Sequence, residues 1–196
     1  MQADALAALL VHLGRAARSG DAETAADGMT AAQWAALRYF AQANAPSRTP
    51  SAFASFHATS RGTASQTVKA LVARGLLART RSGQDGRSVR LEPTAAGRAA
   101  LAGDPMRRLV GAIEALPAGA RRALSTAAAR LVAMMDGARG ESLFGFCPDC
   151  ESCVPAPGGA EDDCWCLRHG AALAAADLDR LCADFTPRAD ALEAGR

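Results

Sequence analysis

A mainly α-helical chain is predicted by three features of these 196 residues. Ala is the dominant residue type and has the highest intrinsic helix propensity. Apolar residues recur at three- and four-residue spacing along most of the chain. Strand-like alternation is convincing in one place only, on either side of "SGQDG" (82–86), so a single strand pair is expected. Hydrophobic residues make up 49%, enough to bury a core, while aromatics are only 5%. The length suits one domain with a small appendage, and the composition shifts near residue 140, giving expected units 1–140 and 141–196.

The elements follow in order. Leu6, Leu9, Leu10 and Leu13 mark one apolar stripe on a helix over 3–18, with Gly20 as its expected stop. A second helix starts behind Thr30, with Gln33 at capping-box spacing and Trp34, Leu37 and Phe40 inward. Thr49 and Pro50 open a short helix that buries Phe53 and Phe56. Ser60 or Thr63 caps the next helix, whose buried stripe is Val68, Leu71 and Val72 and whose terminator is Gly75. The hairpin comes next, from Leu77–Arg81 to Ser88–Leu91. After Pro93 the chain returns to helix in "TAAGRAAL", "DPMRRLVGAIEAL" and "PAGARRALSTAAARLVAMM", ending at Gly137 and Gly140.

The net charge of +2 hides an asymmetry. Between Arg61 and Arg98 eight Lys/Arg face two acids, whereas from Glu141 to Arg196 four Arg face eleven acids. The middle attracts a polyanion and the tail repels one. No apolar run approaches the roughly 20 residues that span a bilayer. The N-terminus has an early Asp4 and no basic leader, so no signal peptide and a cytoplasmic location are expected.

Helix, helix, turn, helix and hairpin is the order of a winged helix-turn-helix. A recognition helix must present small and polar residues to a major groove ~12 Å wide. Arg61, Thr63, Ser65, Gln66 and Lys69 supply that face, opposite Val68, Leu71 and Val72. A wing needs a cation at a flexible tip; Arg87 fills that role, with Asp85 placed to orient it. With Arg81 these residues form the expected DNA-contacting set. His57, on the short helix, reads as a partly buried histidine rather than a sensor.

These residues resemble the MarR family. "DGRSVRLEPTAAG" (85–97) looks like its wing signature, Asp-x-Arg, a strand, then Leu-x-x-Thr-x-x-Gly, with Asp85, Arg87, Leu91, Thr94 and Gly97 matching. "TASQTVKALVARGLLART" resembles the family's recognition helix and its exit, and "MTAAQWAALRYFA" the core helix before it. Pro93 departs from the usual residue. The resemblance covers about residues 1–137. It implies a homodimer held by N- and C-terminal helices, two winged lobes on a near-palindromic operator in double-stranded DNA, and repression relieved by a small-molecule effector or by oxidation.

The tail carries a different signal. Cys147, Cys150, Cys153, Cys164 and Cys166 follow the pattern Cys-x2-Cys-x2-Cys-x10-Cys-x-Cys. In a reducing compartment, clustered cysteines bind metal more often than they form structural disulfides. Five crowded thiolates repel one another, and Asp149, Glu151, Asp162 and Asp163 add to the negative field, so a bound cation is expected. An iron–sulfur cluster ranks first, because the three-in-a-row spacing is ferredoxin-like, although the closing Cys-x3-Cys-Pro is absent. Zinc is the alternative, and metal-free thiol exchange the third possibility. His169 reads as a surface residue, and Cys182 as a buried core residue on an amphipathic helix. Phe144, Phe146 and Trp165 are expected to shield the site.

The function expected is a transcriptional regulator, a repressor whose operator affinity is controlled by an iron–sulfur cluster on the tail, coupled through the last helix. Half-sites one turn apart, ~34 Å, make affinity sensitive to small rotations. One rival keeps DNA binding with a structural zinc and an aromatic effector. The other is an electron-transfer or thiol oxidoreductase, for which no nucleotide loop, nucleophile set or carboxylate pair is present, so no enzyme is expected.

Overall fold

The structure, a computed structural model, describes residues 2–23, 28–81, 89–137, 144–157 and 164–188. Helix α1 spans Ala3–Glu23 and passes through Gly20 rather than stopping there. One interior Gly costs only about 1 kcal/mol of helix propensity. Helix α2, Ala31–Gln42, opens with the reciprocal cap: Gln33 N donates to Thr30 Oγ1 at 3.2 Å and Thr30 N to Gln33 Oε1 at 3.0 Å. A 3₁₀ turn, Ala45–Ser47, leads into α3, Pro50–Phe56, capped by Thr49 with Pro at its first position. Ser60 caps α4, Arg61–Ala73, and Gly75 ends it at φ +70°, a conformation that costs other residues strain.

Strands β1, Leu77–Arg81, and β2, Val89–Pro93, pair antiparallel from Leu77 opposite Pro93 to Arg81 opposite Val89. Thr94 then anchors the foot of the hairpin. Its hydroxyl donates to Gly75 O at 2.6 Å and accepts from Gly97 N at 3.0 Å, starting α5, Ala95–Ala102. Gly97 lies against the carbonyl of Leu76 so closely that a Cβ has no room. Helices α6, Arg107–Glu114, and α7, Ala118–Gly137, follow.

The core lies between α2, α3, α4 and the hairpin: Trp34, Leu37, Tyr39, Phe40, Phe53, Val68, Leu71, Leu77 and Leu91 are all buried. Asp104 locks α2 to the α5–α6 turn by accepting from Arg38 Nε at 2.7 Å and from Arg38 Nη2. Helices α1 and α7 differ. Leu9, Val11, Leu131, Val132, Met134 and Met135 stay exposed, Met134 to 72%.

The tail is ordered around a second sheet, contrary to the expectation of a single strand pair. Strands β3, Cys153–Pro155, β4, Cys164–Cys166, and β5, Ala171–Leu173, pair antiparallel in that order. Three residues are too few to display the alternation on which strand reading depends. A four-residue helix, α8, Ala175–Leu178, comes next.

The segment after α8 joins tail to lobe. Leu181 forms a parallel bridge to Ala43, Leu181 N donating to Gln42 O and Asn44 N to Leu181 O, each at 2.9 Å. Cys182 forms an antiparallel bridge to Gly145 on its other side. Ala183 N donates to Ser47 Oγ at 2.9 Å, and Arg180 Nη1 to Ala41 O at 2.8 Å. Residues 181–183 are thus inserted between the α2–α3 corner and the cysteine segment. Gly145 sits under Phe185, where a Cβ would approach the ring to 2.7 Å. Phe144 packs edge-on against Phe56 of α3, with centroids 4.7 Å apart.

Candidate nucleic-acid interface and cysteine centre

The outward face of α4 is built from its cap. Ser60 Oγ accepts Thr63 N at 3.1 Å and lies 2.9 Å from Thr63 Oγ1, and Thr67 Oγ1 donates to Thr63 O, which fixes the first turn. With Ala64, Val68 and Leu71 in the core, Arg61, Thr63, Gln66 and Lys69 are exposed, and Ser65 is half-buried. Thr63 is therefore exposed yet tied to the cap. Arg79 on β1 is also exposed. Arg81 pairs with Val89 through its backbone, while its side chain, Asp85 and Arg87 lie outside the described residues. His57 ends α3, solvent-exposed, with its ring edge-on to Phe53 and Phe56 at 4.8 and 5.0 Å.

Arg48, which carries no motif, links this face to the tail. Its Nε donates to Ala43 O at 3.0 Å, and its Nη1 to Glu92 Oε1 of β2 at 3.2 Å. Nη2 stands 3.6 Å from Asp177 Oδ1 of α8. Asp177 Oδ1 also accepts Ala45 N at 3.2 Å. One guanidinium thus touches the α2 end, the wing strand and the tail.

In the tail, Cys147 starts a 3₁₀ turn, Cys150 N donating to Cys147 O at 3.0 Å and Cys153 N to Cys150 O at 3.2 Å. Cys164 and Cys166 share one face of β4, and Cys153 stands opposite Cys166 on that face. Cys153 and Cys164 are joined by a disulfide with Cα atoms 5.7 Å apart. Cys147, Cys150, Cys166 and Cys182 are buried free thiols.

The five-cysteine set expected to hold a metal is therefore divided. The Cys153–Cys164 bond occupies two of its sulfurs, and among the described residues no three His, Cys, Asp or Glu side chains are grouped to hold a metal ion.

What sequence reasoning missed is Cys182. It lies in an extended bridge, not on an amphipathic helix, because α8 ends at Leu178. Burial acts to raise its pKa, and His169, the Asp184 backbone N–H, the Asn44 amide and the Ser47 hydroxyl act to lower it. The net value lies below that of an ordinary thiol. Burial, then the nearby Cys182 charge, push Cys147 up to about 11.

His169 is half-buried rather than on the surface. Its Nε2 stands 3.4 Å from Asp184 Oδ2, a charge contact without the alignment of a full hydrogen bond. Asp184 first, then Cys182, raise it to about 10. The expected shield is also redistributed: Phe144 packs on α3, Phe146 is 47% exposed, and Trp165 is half-buried.

Comparison with known proteins bears on the winged portion. Residues 27–88 match the MarR family model. The overall architecture is a MarR-like winged helix, seen also in solved structures of low identity. FabT of Streptococcus pneumoniae, crystallised with DNA, superposes with a TM-score of 0.52 at 17% identity, covering 68% of this chain and 96% of its own. Another transcriptional regulator superposes at 0.54 and 18% identity, covering 67% and 98%. A MarR family protein from Bacillus stearothermophilus gives 0.50 and 18%, covering 69% and 98%. These likenesses concern the MarR-like fold alone. Among curated protein sequences, none matches this chain. No helix among the described residues is long and apolar enough to cross a membrane.

Proposed function

We propose that this chain is a DNA-binding transcriptional regulator, a repressor that acts as a homodimer and whose operator affinity is set from its cysteine tail. The observation that carries the reading is the rigidly capped α4, which turns Arg61, Thr63, Gln66 and Lys69 outward beside a paired hairpin. A recognition helix and wing need that presentation to reach base edges and phosphates. The MarR family match over 27–88 and the DNA-bound state of FabT support it. The apolar faces of α1 and α7, left exposed in one chain, support pairing through those helices.

Control from the tail is supported by its seat on the α2–α3 corner, directly before the helix-turn-helix, rather than only at the end of α7. Thiol–disulfide exchange is the chemistry we favour, since the tail holds one disulfide and four buried free thiols. A cluster or zinc on Cys147, Cys150, Cys153, Cys164 and Cys166 is the rival proposal, and it requires the Cys153–Cys164 bond to open.

The test is DNA binding by fluorescence anisotropy with anaerobically reduced and with oxidised full-length protein, alongside iron and zinc analysis. Tight sequence-dependent binding in one redox state and not the other supports the reading. Equal affinity in both makes the tail structural, and stoichiometric iron or zinc replaces thiol exchange by the metal reading.

A further inference from the structure

We propose that Arg48 is a positioning residue for the wing: its one guanidinium makes the seat of β2 on the lobe depend on the docked tail. The proposal rests on the regulatory reading and names the route by which the tail reaches the DNA-binding face.

Arg48 grips the wing strand twice. Its carbonyl accepts Leu91 N at 2.9 Å, and its Nη1 donates to Oε1 of the next residue, Glu92, at 3.2 Å. Leu91 is fully buried in the core, so the backbone contact belongs to the lobe itself. Glu92 differs. Its side chain is 46% exposed and is held from outside the core.

The same guanidinium is committed to the tail. Nη2 stands 3.6 Å from Asp177 Oδ1 of α8, and Nε donates to Ala43 O at 3.0 Å. A guanidinium is planar with its N–H bonds in a fixed fork, so partners on three nitrogens fix its plane. Moving one partner turns the plane under the other two. Asp177 is fastened in turn, its Oδ1 accepting Ala45 N at 3.2 Å. Arg180 Nε lies 3.8 Å from that oxygen, and Arg180 Nη1 donates to Ala41 O at 2.8 Å. The docked tail therefore sets Asp177 against residues 41–45, and Arg48 passes that position on to β2.

Burial makes the link count. The Arg48 and Asp177 side chains are each 15% exposed, so salt screens their attraction less than that of a surface pair. Undocking the tail withdraws Asp177 and leaves a largely buried cation with the half-exposed Glu92 carboxylate. The guanidinium then swings with Glu92 toward water, and the hairpin loses its fixed angle to α4. A wing must hold that angle to meet the duplex while the recognition helix sits in the groove.

The experiment uses the full-length chain. Asp177→Asn keeps the oxygen that accepts Ala45 N and removes the charge facing Arg48, while Glu92→Ala cuts the other end of the link. Hydrogen exchange by mass spectrometry reads the β1 and β2 peptides. Anisotropy titrations at several salt concentrations use a duplex enriched from a random-sequence pool by the unaltered chain. In Asp177→Asn, hairpin exchange is expected to rise while that of α4 stays unchanged. DNA affinity should fall about fivefold. The slope of log affinity against log salt should drop by about 1, as for one lost phosphate contact. Glu92→Ala, at a half-exposed side chain, should give the same rise in exchange, so the reading does not depend on one variant folding. In the Glu92→Ala background, Asp177→Asn should have no further effect, whereas independent losses of stability would add. Hairpin exchange that matches wild type in Asp177→Asn overturns the proposal. So do additive effects of the two substitutions, or a loosened hairpin that leaves DNA affinity unchanged. Faster hairpin exchange in a chain that binds no DNA leaves the link standing and removes the regulatory reading; DNA binding with unaltered hairpin exchange does the reverse.

Discussion

Ser47 Oγ accepts the backbone N–H of Ala183 at 2.9 Å, a buried hydrogen bond that spans 136 residues of sequence. It joins the turn before α3 to the segment of the tail that follows α8. Ser47→Ala strands a buried donor and is expected to cost about 1–3 kcal/mol. Chemical denaturation checks this, and an unchanged midpoint would mean that the tail does not stabilise the lobe.

Gly97 is irreplaceable on steric grounds. Gly97→Ala drives a methyl into the Leu76 carbonyl, which is backbone and cannot rotate away. The expected loss is at least about 1–3 kcal/mol, the usual range for overpacking, read as a lowered urea midpoint.

On the α4 face, Lys69→Ala and Arg61→Ala are expected to weaken DNA binding without lowering the melting temperature, since both residues are exposed. If Lys69 contacts a phosphate, the slope of log affinity against log salt falls by about 1. If it reads a base, discrimination falls instead by about 1–3 kcal/mol at one position. Anisotropy titrations at several salt concentrations separate the two.

Leu9→Glu with Leu131→Glu places charges on the exposed faces of α1 and α7. If the proposed dimer forms through these faces, sedimentation is expected to show dimers for the unaltered chain and monomers for the variant, with DNA affinity falling alongside. A variant that still sediments as a dimer would place the interface elsewhere.

The His169–Asp184 contact predicts a pH dependence. The folded value of His169, about 10, lies above the unfolded 6.5. Its stabilising contribution is therefore complete below about 6.5 and is lost as pH rises through about 10. Asp184, held below the ordinary carboxylate value by His169, loses its contribution at the opposite, acid end. Melting temperatures of the full chain should decline from pH 6.5 to 10 more steeply than those of His169→Gln.

Much of the winged lobe was legible because its signals are local. The Thr30–Gln33 box, Pro50 behind Thr49 and Gly75 after α4 each act within four residues, and each stands where its chemistry requires. The Cys147–Cys150 turn was legible for the same reason. The docking of the tail was not, because Ser47, Asn44 and Arg48 are ordinary polar residues whose partners lie far away in sequence. Cys182 is buried as expected, but it was placed on a helix because "LDRLCADF" has helical spacing, whereas the segment is held extended by bridges on both sides. Spacing also showed which sulfurs were near one another, but not which two would bond.

The close seat of Gly145 beneath Phe185 leaves a trace that inheritance must respect. A descendant chain that kept this junction would have to retain a residue without a Cβ two places ahead of its first tail cysteine, or surrender the aromatic ring. Glycine and ring should therefore appear or vanish as a pair across a lineage, a marker for tracing where winged lobes acquired this tail.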